Sequence, residues 1–424
     1  MQEQEFIRKI RTIDCNSLDK YTQTMICLEM TVLIYYLKNS VNQQCHNHHA
    51  NIDFIYEQLQ ANLLDSTPLT RNEFDMLFSN FIFYSSSFNE DIIKYINHII
   101  HFISHYCPST FNLLSIPKLI ELFTHIIEQL HPHTQKQYTP SGIVELMGGI
   151  IQAQKGESFS DPACGSGEFI SKMIKNNVHI HGSESNMDRL KITRTKMLVS
   201  GITPSNITSA YFDEKNNFEE KFDFILSNPP FSLKNPVDKK NNFCIYGEPP
   251  ASNADFAFLQ YFIYKLKDNG RAAIIFPDGI LFRGGKEREI RKKIIKENHI
   301  IAVIYLPRGI FKNTAIATNI IVLKKDNKPC DLFIIDAREK NMFNDDQILR
   351  IFIDRQETEI SKIISMEEID NNNYDLSASL YFKRKNNEPS LELLMQRQNE
   401  LEEKLCSLQH DFQARIARLI AKSR

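Results

Sequence analysis

Glycine is missing from the first 141 residues of this 424-residue chain, and again from everything after Gly309. A stretch that long without glycine forgoes the left-handed turns and close backbone approaches that need a residue lacking Cβ. Its apolar residues recur instead at helical spacing, and the opening region reads as all-α. In "TPLTRNEFDMLFSNF" (67–81) Thr70 and Glu73 form a capping box, while Phe74, Leu77, Phe78 and Phe81 share one helical face. That stripe is a core face.

Cysteines at metal or redox spacing are lacking too. The eight cysteines are scattered with no C-x-x-C, which argues against a disulfide framework or a structural zinc site and fits a reducing compartment. "CHNHH" (45–49) has the residue types of a metal site without the ligand spacing. Neither sign of charge predominates: the formal net charge is −2. Attraction to a polyanion would therefore come from a local patch or from another subunit. Long apolar runs are absent as well. The most apolar early segment, "MICLEMTVLIYYL" (25–37), contains Glu29 and is shorter than the ~20 residues that span a bilayer. The start "MQEQEFIRKI" is too polar for a signal peptide. A soluble, cytoplasmic protein without membrane contact is expected.

All fourteen glycines lie between 142 and 309, and there the pattern changes. From roughly Gln135, short β-like runs alternate with helical segments: "ESFSD", "VHIHGSE", "FDFILSN", "GRAAIIFPD", "IIAVIYLP", "ATNIIVLKK" and "CDLFIID". Strands buried on both faces and separated by helices describe a doubly wound α/β sheet. From about Glu388 a third pattern begins. Leu391, Leu405, Phe412 and Leu419 share one heptad position, interrupted by Gln398, and Leu394, Leu401 and Leu408 share the other. That is a coiled-coil-like helix whose seam needs covering, by a partner or by the chain's own N-terminal helices. The expected division is an all-α domain over 1–134, an α/β domain over 135–385 and a C-terminal helix over 386–424.

The chemistry sits in the middle region. "SFSDPACGSGEFI" (158–170) begins as a strand and ends as a helix start, with Gly165 and Gly167 letting the backbone turn tightly beside a ligand. A dinucleotide fingerprint would want a third glycine where Ile170 stands, so that reading is weak. Glu184 follows about twenty residues on, where an α/β nucleotide site places a carboxylate for ribose hydroxyls. Asp213 lies beyond the next helical segment. Then comes "NPPF", Asn228 to Phe231, directly after an apolar run. Proline cannot donate to a sheet ladder, so Pro229 and Pro230 end that strand. Alone, Asn-Pro is a common turn starter. With Asp161, Glu184 and Asp213 at successive strand ends, it falls on the crevice where open sheets bind ligands, and a functional site is the better reading.

The set "QYTPSG" (137–142), "DPACGSGEF" (161–169), "NPPF" (228–231), "NADFAFLQY" (253–261), "GRAAIIFPDGILF" (270–282) and "LPRGIFKNTAIATNIIVL" (306–323) resembles the amino-methyltransferases. In detail it looks like the modification subunit of type I restriction–modification systems. The resemblance covers about residues 135 to 385, including "NNYDLSASLYF" (372–382). It implies a Rossmann-like, S-adenosylmethionine-dependent methyltransferase domain acting on the exocyclic amino group of adenine in double-stranded DNA. Tyr138, Thr139 and Pro140 would line the methionine end of the cofactor with Asp161, Gly165 and Gly167. Glu184 would hold the ribose, Asp213 the adenine amino group, and Phe212 would lie beside the cofactor's ring. Asn228, Pro229, Pro230 and Phe231 would hold the target base, with Phe311 on its other side. The tail would meet a DNA-specificity subunit, two copies of this chain per specificity subunit, in a complex that can include a restriction nuclease subunit. No metal is implied. Little room remains after the α/β domain for a DNA-reading domain.

The target chemistry explains the motif. Adenine's amino nitrogen is a poor nucleophile because its lone pair is delocalised into the ring. The Asn228 side-chain oxygen and the Pro229 carbonyl can accept its two hydrogens and favour a pyramidal nitrogen, while the prolines hold both acceptors in place. Phe231 offers a face on which an extruded base stacks. Methylation of an RNA base or a protein glutamine would use the same groups, and a non-catalytic scaffold would need none of them. Pro329–Cys330 is the pair used by cytosine-ring methyltransferases, yet it lies far from the other motifs and reads as structure. Cys164 reads as a small packing residue.

Overall fold

The structure is a computed structural model that describes residues 2–10, 12–40, 138–210, 220–231, 233–235, 242–311, 315–326, 328–339 and 344–382, with short pieces between 77 and 127 and between 395 and 408. Phe212, Asp213, the cluster at 45–49 and the heptad positions Leu391, Leu394, Phe412 and Leu419 lie outside these residues. So does most of the 67–81 stripe, of which Leu77 and Phe78 are described and buried.

Among the described residues nine strands form one sheet: β1 (Ser158–Asp161), β2 (His179–Ser183), β3 (Ile207–Thr208), β4 (Phe222–Ser227), β5 (Leu266–Pro277), β6 (Ile300–Tyr305), β7 (Thr318–Lys324), β8 (Leu332–Asp336) and β9 (Ser361–Ile364). Their order is β3-β2-β1-β4-β5-β7-β6-β8-β9. The expected doubly wound α/β architecture is present. β1 is parallel to β2 and to β4, β4 to β5, and β6 to β8. β7 enters antiparallel between β5 and β6, and β9 runs antiparallel beside β8. The sheet is therefore mixed. β7 is buried over six of its seven residues, as a strand covered on both faces must be.

The helices described over their whole length are α1 (Gln2–Ile10), α2 (Lys20–Ser40), α3 (Ser141–Ile151), α4 (Glu168–Ile174), α5 (Met187–Val199), α6 (Asp255–Lys265), α7 (Gly279–Phe282), α8 (Lys286–Lys296), α9 (Asp345–Asp354), α10 (Met366–Asn371) and α11 (Ala378–Tyr381). One face of the sheet is covered by α3, α4 and α9, where Ile143, Met147, Phe169 and Ile348 pack on Phe159, Phe224, Ile275 and Ile304. A Cβ on Gly149 would come within 2.5 Å of the tip of the Leu349 side chain, so the missing side chain leaves room for α9 to pack as it does against α3. On the opposite face Phe262 of α6 meets Phe276 of β5 at 6.4 Å between ring centroids.

The N-terminal helices join this body. Lys191 of α5 and Glu29 of α2 make an ion pair at 3.0 Å with both side chains buried, and the Tyr21 hydroxyl donates to Asp188 Oδ2 at 2.5 Å. By compactness the chain divides into residues 1–378 and residues 379–424. The N-terminal helices thus share a unit with the sheet. In the second unit Leu401, Leu405 and Leu408 are exposed. No helix among the described residues is long and apolar enough to cross a membrane.

Candidate active site

Because β1, β2 and β4 are parallel neighbours, their carboxyl ends lie along one edge of the sheet. β1 ends at Asp161, β2 at Ser183 just before Glu184, and β4 at Ser227 just before Asn228. β4 stops where the prolines require it to.

The turn after β1 is built around two left-handed glycines, Gly165 at φ 56° and Gly167 at φ 83°. They differ in what surrounds them. A Cβ on Gly167 would sit 2.9 Å from Thr193 Oγ1, so this glycine lets α5 close on the turn. Beside Gly165 the space is open, with only Glu168 Oε2 at 3.8 Å from where a Cβ would be. The Thr193 hydroxyl donates to the Gly165 carbonyl at 2.9 Å, and Lys196 Nζ to the Ser166 carbonyl at 2.6 Å. The turn is braced from behind and open in front.

Glu184 ties the second strand end to this turn. Its Oε2 accepts from the Gly165 N–H at 3.0 Å and its Oε1 from the Asn186 N–H at 2.7 Å. Oε1 also accepts from the Ser185 hydroxyl at 3.3 Å, while Oε2 keeps capacity for a further donor such as a sugar hydroxyl. Asp161 is 1% exposed. Its Oδ1 accepts from the Ser227 hydroxyl at 2.8 Å and from the Ala163 N–H at 3.2 Å. Burial pushes its carboxyl up to about 8, with the Glu168 and Glu184 charges acting the same way and the two hydrogen bonds opposing.

At the third strand end Asn228 and Thr139 are both buried, and Asn228 Nδ2 donates to Thr139 Oγ1 at 3.0 Å. Thr139 lies in the Tyr138–Thr139–Pro140 segment that leads directly into α3, whose N-cap is Pro140. Phe231 is half-buried. Its ring meets that of buried Phe311 edge-on, with centroids 5.8 Å apart and planes at 88°. A base stacked between the two rings would require them to part. A cleft of about 280 Å³, lined by His181, Glu220 and Lys265 among others, reaches this edge at Pro162 and Ser183 and takes in neither Asp161, Glu184 nor Asn228.

Residues 118–389 match the N-6 DNA Methylase family. The chain belongs to that family. It is 31% identical over 322 residues to the Mycoplasma pneumoniae type I restriction enzyme MpnII methylase subunit, a match covering 67% of this chain and 59% of that protein. It is 32% identical over 231 residues to the Haemophilus influenzae HindI methylase subunit, covering 51% of this chain and 52% of that one. The chain thus matches only a little over half the length of these relatives. Its fold is shared with a type I restriction–modification methyltransferase subunit from Streptococcus thermophilus (TM-score 0.69, 21% identity, 90% of this chain and 99% of that one). A modification subunit from Vibrio vulnificus is also similar (TM-score 0.61, 18% identity, 87% and 93%).

For this family member the structure brings Tyr138, Thr139, Pro140, Asp161, Gly165, Gly167, Glu184 and Asn228 to one edge, with Phe231 and Phe311 in contact beyond them. The residues present fit an adenosyl cofactor: open space beside Gly165, a buried acid at Asp161 and a backbone-anchored carboxylate at Glu184. Ser227, Thr193, Asn186 and Lys196 escaped the sequence reading. Ser227 carried one signal, since it immediately precedes the Asn-Pro-Pro run.

Proposed function

We propose that this chain methylates the exocyclic amino group of adenine in double-stranded DNA, using S-adenosylmethionine, as the modification subunit of a type I restriction–modification complex. The observation that carries this reading is the junction of the glycine turn with the Asn-Pro-Pro-Phe strand end through the Asp161–Ser227 hydrogen bond at 2.8 Å. Cofactor turn and target motif share one buried hydrogen bond. S-adenosylmethionine, when bound, supplies an electrophilic methyl group on a sulfonium.

The chain's own residues do the rest. Tyr138, Pro140 and the backbone of Thr139 line the methionine end with Asp161, Gly165 and Gly167, Glu184 takes the ribose hydroxyls, and Phe212 and Asp213 serve the adenine ring. Asn228 Oδ1 and the Pro229 carbonyl accept the two hydrogens of the target amino group, which localises its lone pair for in-line attack. With the cofactor bound, the new nitrogen–carbon bond would form at the expense of the sulfur–carbon bond, and the amino nitrogen would give up one proton to solvent. The rigid prolines spare both acceptors reorganisation. Phe231 receives the extruded base, and Phe311 closes on it once the two rings separate.

Sequence choice falls to a separate specificity subunit, two copies of this chain serving one such subunit, with a nuclease subunit joining for cleavage. Tritiated-methyl transfer to DNA by the complex, and its dependence on Asn228, test the reading. Asn228→Ala should lower the transfer rate on the order of a hundredfold or more, the scale for removing one preorganised polar group, while cofactor binding persists. Transfer at near wild-type rate by that variant would show the mechanism to be wrong.

A further inference from the structure

The hydroxyl of Thr139 is committed to a side chain 89 residues away in sequence, not to the glycine turn. Thr139 is 3% exposed and Asn228 8% exposed, so their 3.0 Å hydrogen bond is shielded from competing water. The backbone fixes where the Thr139 side chain leaves the chain. A residue before proline is confined to extended conformations, and Pro140 itself is held at the start of α3, where its carbonyl accepts from the Val144 N–H at 3.1 Å. On the other side, Ser227 is held by Asp161 at 2.8 Å. Both ends of the Thr139–Asn228 contact are thus anchored.

A side-chain amide is nearly symmetric in shape and wholly asymmetric in chemistry. Turned one way, Asn228 offers an acceptor to an amino group. Turned the other way it offers a second set of N–H donors, and two donors facing each other cannot hold the target. The hydrogen bond to Thr139 Oγ1 uses the amide's N–H pole and directs its oxygen elsewhere. We infer that Thr139 is a positioning residue for methyl transfer, its hydroxyl holding the Asn228 amide by its N–H pole rather than holding the cofactor. The same bond couples the Tyr138–Pro140 segment to the target motif. This inference rests on the adenine-methylation reading and goes beyond it.

The test uses the full chain assembled with its specificity subunit and duplex DNA. Single-turnover methyl transfer at saturating cofactor is measured beside the cofactor Kd by calorimetry. Thr139→Val keeps the shape and removes the hydroxyl, and Thr139→Ser restores the hydroxyl. The transfer rate of Thr139→Val should fall on the order of tenfold to a hundredfold, the scale of one orienting hydrogen bond, with the cofactor Kd unchanged. Thr139→Ser should recover most of the rate. In an Asn228→Asp background, where either oxygen can accept, Thr139→Val should cost little more, a non-additivity that a merely structural role would not produce. Thr139→Ala serves the same comparison if the valine variant does not fold.

Wild-type transfer by Thr139→Val, or a loss confined to cofactor affinity, would overturn the inference and leave the methylation reading standing. A wild-type complex that transfers no methyl to adenine overturns both.

Discussion

Asp161 is a carboxyl group almost without water around it, and burial, reinforced by Glu168 and Glu184, holds it up to about 8. In the free protein at neutral pH it is therefore mainly protonated. Because its folded value lies above the ordinary 3.8, its contribution to stability is greatest below that value and is lost as pH rises to about 8. In the proposed site a bound sulfonium and ammonium would reverse the preference, since a nearby cation favours the ionised carboxylate. S-adenosylmethionine binding is thus expected to release protons at neutral pH, with affinity rising towards pH 8 and levelling off above it. Calorimetry in buffers of different ionisation enthalpy reads that proton release directly. Asp161→Asn should abolish the slope, and an unchanged slope would assign the proton to another group. The acid itself was legible in the sequence from its place before the glycine turn. Its hydrogen bond from Ser227 was not, because it joins residues 66 apart through the pairing of β1 with β4.

Elements were easier to read than their directions. The runs at 222–228 and 270–278 announce strands because they are apolar and are stopped by proline, and the structure places β4 and most of β5 there. "ATNIIVLKK" is equally apolar, and a fully buried strand carries no mark of which way it runs. Its antiparallel entry between β5 and β6 follows from sheet pairing alone. Helix contacts show the same limit. α2 reads as an apolar helix interrupted by Glu29, and nothing local says that Lys191 of α5 will face it at 3.0 Å. Removing one member of such a buried pair strips a charge of its counter-ion. Lys191→Ala should cost about 3–5 kcal/mol, whereas replacing both residues by apolar ones of similar volume should be close to neutral. Urea unfolding followed by far-UV circular dichroism measures both variants. Equal losses in single and double replacements would mean that the pair contributes shape rather than charge.

The molecule as a whole has a net charge of −2, too small to draw a polyanion by its overall field. Residues 379–424 form a compact unit of their own, and on it Leu401, Leu405 and Leu408 are exposed. The spacing of Leu401 and Leu408 is one heptad, and Leu394 continues the register in the sequence. Exposed leucines in one register favour burial against other helices. Two surfaces could cover them: helices of a specificity subunit, or the chain's own N-terminal helices. The two alternatives predict different behaviour of the isolated chain. If the seam were covered internally, deletion of residues 388–424 would uncover apolar surface in the remainder and lower its thermal stability. If the seam serves a separate subunit, the shortened chain should keep its melting temperature and bind S-adenosylmethionine within about twofold, a difference of only a few tenths of a kcal/mol. It should at the same time fail to assemble and lose site-specific methylation. Size-exclusion chromatography with the specificity subunit, differential scanning fluorimetry of the chain alone and methyl transfer to duplex DNA separate these outcomes. The expected pattern is loss of assembly with stability and cofactor binding intact. Methylation of one defined sequence by the full-length chain alone would show that it reads DNA without a partner.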